Sequence, residues 1–194
     1  MLLKSEIRAK LKAERQKIAP LIRKKAAEQA AILFRNHSLL QTCFHCACYL
    51  SLDTEFDTMP IIQALWNMGK KCYLPILSKQ KENQLDFVCY KAGDELQRNR
   101  YHILEPKNIS AIIEPEKLDL VLLPLIAFDR KGHRIGTGAG YYDRTFSFLR
   151  EQSVTKPILW GLAYEMQRVE ILPADPWDIP LHGVVTEQGI FFFL

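Results

Sequence analysis

Leu118-Asp119-Leu120-Val121-Leu122-Leu123-Pro124-Leu125-Ile126 is apolar at nearly every position. A strand with one wet face alternates apolar and polar side chains, whereas a strand covered on both faces has no reason to. The run therefore predicts an interior parallel strand with helical layers above and below. Proline has no N–H to give to a ladder, so the strand is expected to end at Pro124.

The chain around this run alternates helical and strand patterns. Leu3, Ile7, Leu11, Glu14 and Ile18 recur every three or four residues and mark one mostly apolar helix face. Pro20 separates that helix from a second, with Leu21, Ile22, Ala26, Ala30, Leu33 and Phe34 as its stripe. A strand is expected over 44–50. A third helix, capped by Asp57 or Thr58, should run to about Met68, with Pro60 near its start and Gly69 after its end. Lys71–Leu77 and Leu85–Tyr90 read as strands joined by a polar turn. Between 91 and 116, Gly93, Pro106 and Pro115 break the pattern into loops, with a short helix ahead of Leu118. Downstream come a helix over 141–150, strands at Ile158–Leu162 and around Val184 and Val185, and an apolar tail over 190–194. This order predicts an α/β fold, a three-layer sandwich with a mostly parallel, doubly wound sheet flanked by helices, as a single domain over 1–194. In such sheets ligands sit beyond the carboxyl ends of the strands, so the loop after Leu50 and the loop 134–143 should face one crevice.

Composition narrows the function. With 194 residues, 48% hydrophobic and 25% charged, the chain can bury one substantial core. A net charge of +4 suits a polyanionic small ligand but is too scattered to point to nucleic acid. No apolar segment approaches the roughly 20 residues that span a bilayer, and the start is charged and helical, so no membrane partner and a cytoplasmic address are expected. Cys43, Cys46, Cys48, Cys72 and Cys89 are odd in number and lie in or near apolar runs, which fits reduced thiols better than disulfides. The cluster Cys43-Phe44-His45-Cys46-Ala47-Cys48 has no second ligand pair downstream and reads as strand core instead of a zinc site.

Two features carry chemistry. The stretch Arg134-Ile135-Gly136-Thr137-Gly138-Ala139-Gly140-Tyr141-Tyr142-Asp143-Arg144 sets glycine at every second position between an arginine and a carboxylate. Glycine lets a backbone approach an anion with its N–H groups turned inward, arginine offsets phosphate charge, and aspartate can hold magnesium. The spacing is neither the dinucleotide fingerprint nor the Walker pattern. Lys4, Arg8, Lys12 and Arg15 form a basic stripe on the first helix. The stripe alone favours a solvated face. If that helix packed over the glycine loop, however, Lys4 or Arg8 would converge with Arg134 on a site that makes sense only around an anion.

Together these segments resemble the 5-formyltetrahydrofolate cyclo-ligase family. The resemblance runs through Lys4-Ser5-Glu6-Ile7-Arg8, Tyr49-Leu50-Ser51, Glu55-Phe56-Asp57-Thr58, Leu74-Pro75, Glu105-Pro106, the run from Pro124 to Asp129 and the glycine loop with its tyrosine pair. It continues through Gly161-Leu162-Ala163-Tyr164-Glu165, Pro173, Asp178, Pro180 and Val184-Val185-Thr186-Glu187. It implies ATP and Mg2+ as cofactors and 5-formyltetrahydrofolate as substrate, cyclised to 5,10-methenyltetrahydrofolate with release of ADP and phosphate.

The same resemblance implies that Lys4, Ser5, Glu6, Ile7 and Arg8 hold the nucleotide together with Arg134, Ile135, Gly136, Thr137, Gly138, Ala139, Gly140, Tyr141 and Tyr142. Arg134 and Tyr142 would act in catalysis, Leu50 and Glu55 would line the folate pocket, and Asp143 and Asp178 would serve the metal. Many relatives carry glycine or lysine at the position of Ala139 and a basic or bulkier residue at Thr137; Ala139 reads as neutral variation. A monomer is expected, with a dimer left open. The competing readings are a different ATP-dependent kinase or a phosphosugar or CoA enzyme, a folate-sequestering protein, and, more weakly, a nucleic-acid module.

Overall fold

A computed structural model describes residues 3–52, 54–109, 111–151 and 153–193. The chain opens on α1 (Lys4–Gln16) and α2 (Pro20–Arg35), and the single turn α3 (Leu39–Thr42) leads into β1 (His45–Ala47). Helix α4 (Met59–Asn67) connects to β2 (Lys71–Leu77) and β3 (Leu85–Tyr90). A two-stranded ribbon, β4 (Leu96–Arg98) and β5 (Leu104–Pro106), precedes β6 (Ile112–Ile113) and the central strand β7 (Leu120–Pro124). A small hairpin, β8 (Ala127–Phe128) and β9 (Arg134–Ile135), comes before α5 (Tyr141–Thr145), and β10 (Ile158–Leu162), β11 (Gly183–Val185) and β12 (Ile190–Phe192) complete the sheet.

The eight-stranded sheet has the order β12-β11-β10-β7-β1-β2-β3-β6. Its five middle strands, β11, β10, β7, β1 and β2, are parallel, and antiparallel strands close both flanks. From β1 the chain winds one way to β2, and from β7 the other way to β10 and β11. The switch point therefore lies between β1 and β7, where Ala47 pairs with Val121.

The central run behaves as its hydrophobicity requires. Leu120 and Leu122 join a core beneath α2 and α4 with Phe34, Ile61, Leu65 and Trp160, while Val121 and Leu123 face a second core with Phe87, Phe146, Leu159 and Val184. Pro124 is the last register position of β7, opposite Leu162. The four cysteines Cys43, Cys46, Cys48 and Cys72 are buried and free.

Several boundaries differ from expectation. The first strand is only three residues long, with the Cys48 N–H still donating to Tyr73 O at 2.9 Å just beyond its end. In the third helix, Thr58 turns its hydroxyl to the Tyr49 carbonyl (2.6 Å), and the Asp57 carboxylate takes the Met59 N–H (3.0 Å). The helix expected over 141–150 breaks at Phe146 into α5 and the 3₁₀ turn Ser147–Arg150, because Phe146 swings fully into the second core. The stretch 91–116 contains β4, β5 and β6, strands of two or three residues that are too short to carry periodicity. On α2, Leu21 and Ile22 are exposed, and Ala26, Ala27, Ala30, Ala31 and Phe34 do the packing. The tail forms β12; Leu194 lies outside the described residues.

One contact decides where the site forms. Ile7 and Leu11 of α1 bury against Ile126, Ala127, Ile135 and Leu172, that is, onto the β8–β9 hairpin. Two such side chains contribute about 1.5–3 kcal/mol each. The hairpin is pinned from below by Asp129, wholly buried, which accepts the N–H groups of Lys131 (2.8 Å), His133 (3.0 Å) and Leu172 (3.0 Å) and the His133 ring (3.0 Å).

Candidate active site

A cavity of about 540 Å³ opens at the switch point, lined by the segments after β1 and β7, the ends of β2 and β3, the ribbon tip, the glycine loop and the start of α1. It has a cationic side and an apolar side.

On the cationic side the hairpin β8–β9 separates the central strand from the glycine loop, so the strand does not run directly into the loop. The loop's carbonyls are held from outside: Arg8 Nε donates to Gly136 O at 2.8 Å, and Arg144 Nη2 donates to Ala139 O. Among the described residues, no backbone N–H from Gly136 to Tyr141 has a protein partner. A row of amides without protein partners, in a loop with two carbonyls taken by arginines, is the kind of backbone that can cradle an anion. Gly138 (φ +111°) lies against the Arg8 guanidinium, and Gly140 (φ +67°) starts α5; both conformations are costly for residues with a Cβ.

The basic stripe is not simply a solvated face. Only Lys12 among its four members is exposed. Lys4 Nζ lies 2.7 Å from both Asp175 Oδ2 and Asp178 Oδ2, and Arg15 is 7% exposed near Leu125 O (3.5 Å). Burial alone would lower the Lys4 ammonium, but its bonds to the two aspartates hold it above the ordinary lysine value. Glu6 takes the Leu3 N–H (2.8 Å) and so caps α1, while Ile7 anchors the helix. Ser5 is exposed.

Arg134 does not lie loose over the loop. Its Nη1 donates to Ile179 O (2.8 Å) and its Nη2 to Asp143 Oδ1 (2.9 Å), which also accepts the Ile179 N–H (3.1 Å). The guanidinium thus forms part of the pocket wall and fixes the carboxylate beside it. Asp143 Oδ2 and Asp178 Oδ1 have no hydrogen bond among the described residues, and both aspartates line the cavity. Magnesium is commonly held by one or two carboxylates plus substrate phosphates, so this donor set fits it; no group of three or more ligating side chains exists among the described residues.

The apolar side brings Leu50 and Glu55 together with Leu74, Ile76, Leu85, Ile103 and Leu104. Glu55 Oε2 accepts the Leu52 N–H at 3.0 Å, bracing its own loop while lining the cavity. The tyrosine pair divides. Tyr142 packs parallel to Phe146 (6.4 Å, 18°) and burial pushes its hydroxyl upward, whereas Tyr141 reaches across the mouth. Burial also raises the thiols, Cys48 to about 12, so none of the buried cysteines is poised as a nucleophile.

Tyr49, Tyr101, Asp175 and Trp177 also line the cavity, and the sequence reading missed them. Tyr101 sits in a segment without periodicity, and Asp175 and Trp177 in an irregular stretch. Only the mixture of arginine and tyrosine over 98–101 could have drawn attention to the first.

Fold and cavity together define an α/β protein with a glycine loop of unpaired amides and an apolar wall meeting at a topological switch point. The family model described as the 5-formyltetrahydrofolate cyclo-ligase family matches residues 2–187. The chain is 36% identical over 182 residues to the 5-formyltetrahydrofolate cyclo-ligase of Escherichia coli K12, covering 93% of this chain and 98% of that protein. It is 40% identical over 141 residues to the Haemophilus influenzae enzyme of the same name, covering 72% and 74%. The solved structure of Aquifex aeolicus 5,10-methenyltetrahydrofolate synthetase superposes with a TM-score of 0.83 at 28% identity, over 98% of this chain and 93% of that one. The chain belongs to the 5-formyltetrahydrofolate cyclo-ligase family.

Proposed function

We propose that this protein converts 5-formyltetrahydrofolate to 5,10-methenyltetrahydrofolate at the expense of ATP, through phosphorylation of the formyl oxygen. The observation that carries this reading is the row of free amides from Gly136 to Tyr141, opening into the same cavity as the apolar wall of Leu50 and Glu55. A phosphate donor and a folate acceptor, its rings against the apolar wall, can meet there without crossing solvent.

The chemistry explains why a phosphate site must adjoin the acceptor. A formyl oxygen leaves poorly. Once that oxygen takes the γ-phosphoryl group, releasing ADP, N10 can close on the formyl carbon and the oxygen departs with phosphate. Phosphoryl transfer asks a protein for alignment and charge control more than covalent help. The loop amides, Arg8 and Lys4 would bind the phosphates, Arg134 would keep Asp143 oriented, and Tyr142 would pack beneath the transferring group. Asp143 and Asp178 would hold magnesium, which when bound neutralises phosphate charge. Glu55 would accept paired N–H donors of the pterin ring. A cytoplasmic address and a monomeric state, with a dimer left open, complete the proposal.

The test is the absorbance of methenyltetrahydrofolate during incubation with 5-formyltetrahydrofolate and magnesium, with and without ATP. Product only with ATP is expected. No product from folded protein and active (6S)-substrate would move the reading to folate binding without turnover, or to another phosphoryl acceptor. Glu55→Gln is expected to raise KM for the folate roughly tenfold, as for loss of one charged hydrogen bond, with KM for ATP nearly constant. Equal shifts in both KM values would remove Glu55 from the folate side.

A further inference from the structure

The ribbon β4–β5 and the glycine loop meet across the mouth of the cavity. The hydroxyls of Tyr101 and Tyr141 lie 3.0 Å apart, and Arg100 Nη2 donates to the Tyr141 hydroxyl at 3.4 Å. The two rings stand edge to face, 6.3 Å between centroids at 71°. The Arg100 guanidinium sits 5.0 Å from the Tyr101 ring, and that of Arg144 sits 5.7 Å from the Tyr141 ring. Arg144 reaches onward to Ala139 O and, through Nε, to Asn83 O at 2.9 Å. A ladder of cation, ring, ring and cation thus ties together the ribbon tip, the glycine loop and the β2–β3 turn.

The tip is built to present Tyr101. Asn99 Oδ1 accepts the N–H groups of Tyr101 (2.9 Å) and Ile103 (3.2 Å), and Asn99 Nδ2 donates to Glu105 Oε2 (3.2 Å). Arg98 Nη1 donates to His102 O at 2.6 Å, and His102 takes φ +59° to close the turn. Although Tyr101 is 49% exposed, its direction is set by this local frame. Asn99, Ile103 and Leu104 belong to the apolar wall, whereas Ala139 and Tyr141 belong to the cradle. The ladder therefore touches both halves of the cavity.

We infer that Tyr101 is a positioning residue that couples the two halves, so that a nucleotide held by the glycine loop raises the affinity for the folate, and the folate raises that for the nucleotide. The inference rests on the cyclo-ligase reading of the cavity. A ligand that orders the loop fixes Tyr141, and through it the ribbon tip, so the second ligand meets a wall already in place and binding costs less ordering. The effect must be reciprocal in binding free energy. One hydroxyl contact carries roughly a twofold to tenfold factor.

The experiment is calorimetric titration of 5-formyltetrahydrofolate into the full chain, with and without a non-hydrolysable ATP analogue and magnesium, for the native protein, Tyr101→Phe and Arg100→Gln. The readout is the ratio of the two folate affinities, in which any direct contact of the ring with the folate cancels. In the native protein the ratio should be severalfold, about five or more. In Tyr101→Phe it should fall by roughly two to ten times, and less in Arg100→Gln. Thermal melts establish that the variants fold. A native ratio of one, or an unchanged ratio in folded Tyr101→Phe, overturns the coupling while leaving the cyclo-ligase reading intact. Failure of the native protein to bind the folate in either condition overturns both.

Discussion

Arg134→Ala is expected to lower kcat/KM for ATP by about a hundredfold or more, within the range for loss of one preorganised charged donor in an active site. The substitution does two things. It removes a cation from the pocket wall, and it frees Asp143, whose Oδ1 Arg134 holds at 2.9 Å. Magnesium dependence should therefore weaken together with ATP use, whereas affinity for the folate alone should change little. Arg134→Lys is expected to rescue only partly, because an ammonium cannot bond Ile179 O and Asp143 in the same fork. Steady-state kinetics at varied ATP and magnesium, with folate titration alongside, check this. Unchanged turnover and ATP dependence in folded Arg134→Ala would restrict the residue to a structural role.

The second large effect is on stability and lies outside the cavity. Asp129→Ala strips four donors of their acceptor beneath the hairpin that seats α1, which should cost roughly 3–5 kcal/mol, as for breaking a buried charged network. For a chain of this size that is a fall in Tm of about 6–20 °C. Burial alone would raise the Asp129 carboxyl, but the bonds from Leu172, His133 and Lys131 outweigh it and hold it below the usual carboxylate value. A depressed folded value means that the contribution is fully present above the unfolded value of about 3.9 and is lost as pH falls through the folded value. The gap in urea midpoint between native and Asp129→Asn proteins should accordingly be wide at neutral pH and narrow below about pH 4. A gap that stays constant through acid would mean that the side chain's charge contributes nothing.

Much of the architecture was legible because burial on two faces leaves its mark in the chain. Leu120 to Leu123 had to be interior, and Pro124 had to end the strand, from hydrogen-bond arithmetic alone. The alternation of helical and strand patterns led to the layered sheet and to one crevice shared by the loop after Leu50 and the loop 134–143, whereas the place of the switch point between β1 and β7 came only from the strand order. The β4–β5 ribbon was invisible, since its strands pack little and are stabilised by turn chemistry around Asn99. Helix α5 was overextended because Phe146 reads as helical in pattern, while the second core takes its ring and bends the backbone.

The site divides along the same line. The glycine spacing, the flanking Arg134 and Asp143 and the basic stripe of α1 were all present as local pattern, because backbone freedom and side-chain charge are properties of residues taken singly. Whether the stripe faced water was not a local property. That depended on Ile7 and Leu11 finding Ile126, Ile135 and Leu172, a contact between segments far apart in the chain, which carries Lys4 and Arg8 to the loop. Tertiary packing likewise joined Tyr101 to Tyr141 and set Asp175 beside Lys4. By itself the sequence determined the layers, the glycine spacing and the family. Only the folded chain decided which charges converge, because convergence is set by the burial of apolar faces that no short window of sequence contains.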